Sequence, residues 1–119
     1  MACQVIAEVG WNHVGDMDLA RRMVEAAAQA GADFVKFQTW RVERLMPGPW
    51  DEDGRRDIYH AAELTAAKHE MMVEACRDHG VEFLTSVFNP DDVPMVSELG
   101  LPAIKIPSQV PITNVIHHA

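Results

Sequence analysis

Apolar residues along the chain fall into short runs that alternate with stretches of helical spacing. Residues 4–9 read as a first buried strand. Asp16 then has the character of a helix N-cap, and Leu19, Ala20, Met23, Val24 and Ala27 recur at helical spacing until Gly31 closes the segment. Residues 33–38 form a second strand. Residues 40–63 break the rhythm: Met46-Pro47-Gly48-Pro49-Trp50 and Asp51-Glu52-Asp53-Gly54 predict an irregular connection, with a helical turn from Arg56 to Ala62. Thr65 caps the next helix, whose apolar stripe is Ala67, Met71, Met72, Ala75 and Cys76 and whose end is Gly80. Residues 82–87 are a third strand. Asn89-Pro90-Asp91-Asp92 opens a further helix with inner positions Val93, Val96 and Leu99, ending at Gly100, and residues 103–106 are a fourth strand.

Strands alternating with helices imply right-handed crossovers and a parallel sheet, the α/β class. Ligands of such sheets gather at the carboxyl ends of the strands. Three of the apolar runs carry a charge there. Lys36 lies within Phe34-Val35-Lys36-Phe37-Gln38, Lys105 within Ala103-Ile104-Lys105-Ile106-Pro107-Ser108, and Glu8 within Val5-Ile6-Ala7-Glu8-Val9. A buried ammonium costs several kcal/mol unless an anion offsets it. The pattern therefore predicts a shared pocket for an anionic ligand. Gln38, two residues beyond Lys36, shares its face of the strand, and Ser86 and Ser108 offer hydroxyl donors at the other strand ends. The competing expectations are plain: Glu8 forms a salt bridge to one of the lysines, and each serine bonds to nearby backbone.

Composition narrows the ligand class. The chain has 119 residues, enough for one modest domain, and a formal net charge of −8. That charge disfavours nucleic acid, so any anion site is local. No apolar stretch reaches the roughly 18 residues of a membrane span, and the first residues lack a leader-like pattern, so the expectation is a cytoplasmic protein. Cys3 and Cys76 lack metal-ligand spacing and read as reduced, buried thiols. His60, His69 and His79 read as structural, and the His117-His118 pair does not have metal-ligand spacing. Asn12 and His13 fall on the first strand-to-helix loop, where they are candidates to contact substrate or simply to be solvated.

Four segments resemble the sialic acid synthase family, the phosphoenolpyruvate-dependent enzymes that make nonulosonic acids. They are Ile6-Ala7-Glu8-Val9-Gly10-Trp11-Asn12-His13-Val14-Gly15-Asp16, Gly31-Ala32-Asp33-Phe34-Val35-Lys36-Phe37-Gln38-Thr39, Gly80-Val81-Glu82-Phe83-Leu84-Thr85-Ser86-Val87-Phe88 and Lys105-Ile106-Pro107-Ser108. The resemblance implies parallel βα units of a TIM (β/α)8 barrel, a fold of about 250 residues. Residues 1–119 then correspond to a single incomplete domain, truncated after the fourth strand, with a missing C-terminal half or a homo-oligomer to cover the open side.

The activity implied is a transferase reaction of polysaccharide biosynthesis. C3 of phosphoenolpyruvate attacks the aldehyde of an N-acylated amino sugar such as N-acetylmannosamine, water adds at C2, and phosphate leaves. By resemblance Lys36 and Lys105 touch phosphoenolpyruvate, Glu8 orients or shuttles a proton, and Gln38, Ser86, Ser108, Asn12 and His13 bind substrate. The family also uses a divalent metal, Mn2+ or Mg2+, whose ligands come from later strands. There are departures: Val87 stands where proline is usual, Ser86 where threonine is common, and Gln109-Val110 where glycine and an acid usually follow Ser108. That acid commonly meets the acceptor. Two other readings remain: a non-catalytic phosphoenolpyruvate-binding or assembly module, and a different phosphoenolpyruvate aldol synthase on the same barrel.

Overall fold

The computed structural model describes residues 2–108. Strands β1 (Ile6–Gly10), β2 (Phe34–Thr39) and β3 (Glu82–Val87) form a parallel sheet in the order β1-β2-β3. Helix α1 (Met17–Gln29) joins β1 to β2, α2 (Arg55–Ala62) and α3 (Ala66–Asp78) join β2 to β3, and α4 (Val93–Ser97) follows β3. In register, Glu8 lies opposite Lys36 and Lys36 opposite Leu84, while Gln38 lies opposite Ser86. Among the described residues no helix is long and apolar enough to cross a membrane.

The caps that the sequence announces are made. The Asp16 carboxylate accepts from the Leu19 N–H at 3.0 Å, and the Thr65 hydroxyl oxygen accepts from the Lys68 N–H at 3.2 Å. Asn89 likewise accepts from the Asp91 N–H at 2.9 Å, but the helix after it is short. Pro94 has no N–H to give the Pro90 carbonyl, which instead takes the Val93 N–H in a 3-10 turn over Pro90–Asp92 before the five residues of α4.

Alternation along the strands sends Val9, Val35, Phe37 and Phe83 toward the helices, where they pack with Ala20, Val24, Met72, Ala75 and Cys76. Phe37 and Phe83 stack with centroids 5.4 Å apart. On α3 the buried stripe differs from the expected one: Ala67 is exposed and His69 occupies the core with Met72, Ala75 and Cys76. A polar relay satisfies this histidine. Its Nδ1 lies 2.8 Å from the Thr65 carbonyl, which can only accept, so Nδ1 carries the proton and Nε2 accepts from the Thr39 hydroxyl at 2.7 Å. Thr39 in turn accepts from Thr85, also at 2.7 Å. Cys76 is buried as expected, whereas Cys3 is exposed.

The fourth strand expected over residues 103–106 is reduced to a single parallel bridge between Ser86 and Lys105. The Lys105 N–H donates to the Thr85 carbonyl at 2.9 Å, and the Lys105 carbonyl accepts from Val87 at 3.3 Å. In a parallel ladder the next donor on that segment would be residue 107, and Pro107 has none. The connection after β2 has a core of its own. Trp40, Val42 and Ala62 are buried there, with Trp11, Trp50, Tyr59 and Phe88 packed around them. The first strand-to-helix turn abuts it closely: a Cβ on Gly15, where φ is +89°, would stand 2.0 Å from the Ala61 carbonyl oxygen.

Replacing Thr39 with valine leaves the His69 acceptor buried without a donor, so Thr39→Val is expected to cost about 1–3 kcal/mol in urea denaturation at pH 7.5. A second outcome concerns pH. Burial holds His69 below the ordinary value of 6.5, and burial together with the Lys68 charge does the same to His13. Above 6.5 both states are neutral and stability is full. Below it the unfolded chain takes up protons that the folded chain refuses, so stability falls with pH by up to about 1.4 kcal/mol per unit for each histidine. Denaturation midpoints at pH 7.5 and 5.5 read this directly.

Candidate functional site

The sheet face opposite α1 and α3 carries Ile6, Glu8, Lys36, Gln38, Leu84 and Ser86, and with Phe88, Lys105 and Pro107 these line an open cavity of about 460 Å³. Five of the eight candidate residues therefore meet in one place. Lys36 is the buried cation, only 7% exposed. Its ammonium lies 2.8 Å and 3.1 Å from the two carboxylate oxygens of Glu8, on the adjacent strand at the same register level. The expected salt bridge to Glu8 is thus made by Lys36.

Several placements differ from expectation. Lys105 is exposed rather than buried, because the bridge that carries it is the outermost, isolated member of the sheet. Glu8 is half exposed, and both it and Lys36 sit at the middle of their strands; Gln38 and Ser86 are the ones next to the strand ends. Gly10, at φ +60°, makes room for the acid: a Cβ there would lie 3.2 Å from the Glu8 carboxylate.

Asn12, His13 and Ser108 do not line this cavity. Asn12 is exposed, its N–H tied to the Val9 carbonyl, and Ser108 is exposed in a turn. His13 is fully buried rather than solvated. Its Nδ1 accepts from the Gly15 N–H at 3.0 Å and its ring lies 6.0 Å from that of Phe37. Tight closure of the Asn12-to-Asp16 turn turns this imidazole inward. Val110 and the His117-His118 pair lie outside the described residues.

Two features escape a reading by sequence. Asp92, expected only as part of a helix start, is 2% exposed and ion-paired with Arg44, forty-eight residues away. Burial pushes its carboxyl above the ordinary range against the pull of Arg44. The other is a smaller cavity of about 230 Å³ beside the first, lined by Trp11, Gln38, Trp40, Leu45, Tyr59 and Phe88. Three aromatic residues within the irregular connection were the available signal. Among the described residues no group of three or more His, Cys, Asp or Glu side chains is placed to hold a metal ion.

A family model described as the NeuB family matches residues 23–117. The chain belongs to the NeuB family. Within this family it is 34% identical over 126 residues to an N,N'-diacetyllegionaminic acid synthase of Legionella pneumophila, covering 97% of this chain and 35% of that one. A Campylobacter jejuni protein of the same name is 33% identical, with 87% and 34% covered. Among solved structures, an N-acetylneuraminic acid (sialic acid) synthetase from Leptospira borgpetersenii, in complex with citrate, superimposes with a TM-score of 0.74 at 30% identity, over 86% of this chain and 35% of that one. The chain thus spans about a third of the length of the NeuB-family relatives it matches, and its parallel βα units are structurally similar to part of a sialic acid synthase.

The Glu8–Lys36 pair combines a buried ammonium with a half-exposed carboxylate, so its strength lies between surface and interior pairs. A double-mutant cycle with Glu8→Gln and Lys36→Met is expected to give a coupling of about 1 kcal/mol by chemical denaturation, discounted for solvent at Glu8. A coupling indistinguishable from zero would mean that water, not Glu8, satisfies the ammonium.

Proposed function

We propose that residues 1–119 carry the phosphoenolpyruvate-binding part of an enzyme that condenses phosphoenolpyruvate with an N-acylated amino sugar to form a nonulosonic acid and phosphate. The observation that carries this reading is the cavity that gathers Lys36, Lys105, Gln38, Ser86 and Glu8. Two ammonium groups stand there against one carboxylate, in a chain whose net charge is −8. Local positive charge on a negative background suits a small polyanion held by specific donors. The names of the NeuB-family relatives, an N,N'-diacetyllegionaminic acid synthase and an N-acetylneuraminic acid synthetase among them, agree with it.

Each side chain has a role that its surroundings allow. Lys36 has three N–H donors and Glu8 engages it through two contacts, which leaves a donor for a phosphate or carboxylate oxygen. Lys105, exposed at the cavity rim, supplies the second cation where the ligand enters. Ser86 and Gln38, neighbours across β2 and β3, fix the ligand's orientation. Glu8, held by Lys36 and accessible to solvent, is placed to accept or return a proton while carbon–carbon bond formation and water addition proceed.

The divalent metal that the family resemblance implies finds no ligand set among the described residues. By that resemblance its ligands would come from later strands of the fold. The 1–119 segment is accordingly read as one incomplete domain whose inner sheet face is covered by further strands or by another copy. That is also what gives the binding-module reading its weight: Ile6, on the open face, is 50% exposed.

Calorimetry with phosphoenolpyruvate and a phosphate-release assay with Mn2+ and N-acetylmannosamine test both readings. Residues 1–119 alone are expected to bind phosphoenolpyruvate without measurable turnover. Lys36→Met should weaken binding at least about ten-fold, the size of a lost charge-assisted hydrogen bond, and Lys105→Met somewhat less. Absence of binding would sink the proposal, and robust turnover would show that residues 1–119 suffice for catalysis.

A further inference from the structure

The strand ends that border the anion cavity are tied together on the other side of the sheet. Gln38 and Ser86 line the cavity, while their chain neighbours Thr39 and Thr85 are buried and bonded to each other at 2.7 Å. Thr39 in turn lies 2.7 Å from Nε2 of His69 on α3. Thr85 also holds the outermost segment of the sheet, because its carbonyl accepts from the Lys105 N–H at 2.9 Å. Gln38, Ser86 and Lys105 are thus each joined to a threonine of this relay by one peptide link or one hydrogen bond.

His69 sets the direction of the relay. Its Nδ1 donates to the Thr65 carbonyl, so Nε2 accepts from Thr39 and Thr39 accepts from Thr85. Without that acceptor both hydroxyls reverse. Thr39 would donate to Thr85, and Thr85 to the Ser86 carbonyl 3.3 Å away, the backbone of a residue that lines the cavity. The side chains that meet the ring from β2 and β3 are Thr39 and Phe83, neither of them titratable. Burial, and to a smaller degree the charge of Arg41 just beyond β2, hold the ring neutral against the pull of the Thr65 carbonyl.

Packing alone asks for none of this. The other buried positions of α3 are Met72, Ala75 and Cys76. Leucine at position 69 with valine at positions 39 and 85 would fill similar space and leave no side-chain polar group to satisfy. The Thr65 carbonyl would keep the backbone N–H of residue 69, which it already accepts at 2.9 Å.

We infer that His69 is a positioning residue of the anion cavity: through Thr39 and Thr85 it holds the ends of β2 and β3 in the arrangement that presents Gln38, Ser86 and Lys105 to one ligand. The inference rests on reading that cavity as the phosphoenolpyruvate site. His69 itself lies outside the cavity and acts through the two hydroxyls.

Calorimetric titration of the full chain with phosphoenolpyruvate at pH 7.5 provides the test. His69→Leu is expected to weaken binding about five-fold or more, the size of one hydrogen bond lost or misdirected. His69→Gln, whose amide oxygen can accept from Thr39, should restore most of it. The triple variant His69→Leu, Thr39→Val, Thr85→Val separates positioning from stability. Its denaturation midpoint should stay near that of the unaltered chain while its affinity stays low. A triple variant that binds as tightly as the unaltered chain overturns the inference and leaves the anion site standing. An unaltered chain that binds no phosphoenolpyruvate removes the reading of the cavity and the inference with it. The unaltered chain also gives a check that needs no substitution. Saturating phosphoenolpyruvate should move the ring 15N signals of His69 and not those of His79, exposed at the end of α3. His69 signals that stay in place while the backbone amides of Gln38 and Ser86 shift would equally overturn the inference.

Discussion

The ammonium of Lys36, almost buried in the middle of a sheet face, is the constraint from which the rest of the site follows. It is tolerable only where a carboxylate reaches it, and Glu8 does so with both oxygens from the neighbouring strand. For that contact β1 and β2 must pair with these two residues level, which fixes the alternation of every other position. Val9, Val35 and Phe37 are thereby sent to the helices, and Gln38, level with Ser86 on β3, to the open face. A glycine at position 10 keeps a side chain away from the carboxylate. Charge pair, register and core are three aspects of one arrangement.

Electrostatics then divides the open face into two regions. One holds both lysines and can discharge a polyanion in a chain that is acidic as a whole. The other is walled by indole, phenol and phenyl rings and has no charged residue in its lining. The amide of Gln38 borders both, and it can donate to one side while accepting from the other.

Local signals in the sequence proved sound wherever the governing interaction was itself local. Asp16 and Thr65 cap their helices as expected, and the strand alternation placed Glu8, Lys36, Gln38 and Ser86 on a common face. What went astray depended on distant partners. Lys105 looked buried because its neighbours are isoleucines, yet Pro107 stops the ladder and leaves it at the rim. His13 looked like a loop residue open to ligand, but the turn from Asn12 to Asp16 closes tightly enough to fold the imidazole inward against Phe37. His69 displaced Ala67 from the core because the Thr65 carbonyl and the hydroxyl of Thr39, itself bonded to Thr85 on another strand, satisfy both ring nitrogens. The Arg44–Asp92 pair spans forty-eight residues and leaves no mark on either local pattern.

Gly15 carries a consequence for how this scaffold tolerates change in length. Its backbone lies so close to the Ala61 carbonyl that the first strand-to-helix turn and the C-terminal end of α2 share one contact surface. The connection after β2 is thus pinned at its far end while its middle, around the exposed Met46 and Gly54, faces water. Insertions and deletions accumulated over divergence would be absorbed between those exposed positions. Shifts in phase near Ala61 would instead collide with the turn that leads from Glu8 into α1. A grafted loop, or a shortened one, can therefore alter the rim of the aromatic cavity while the cavity that holds Glu8 and Lys36 keeps its shape.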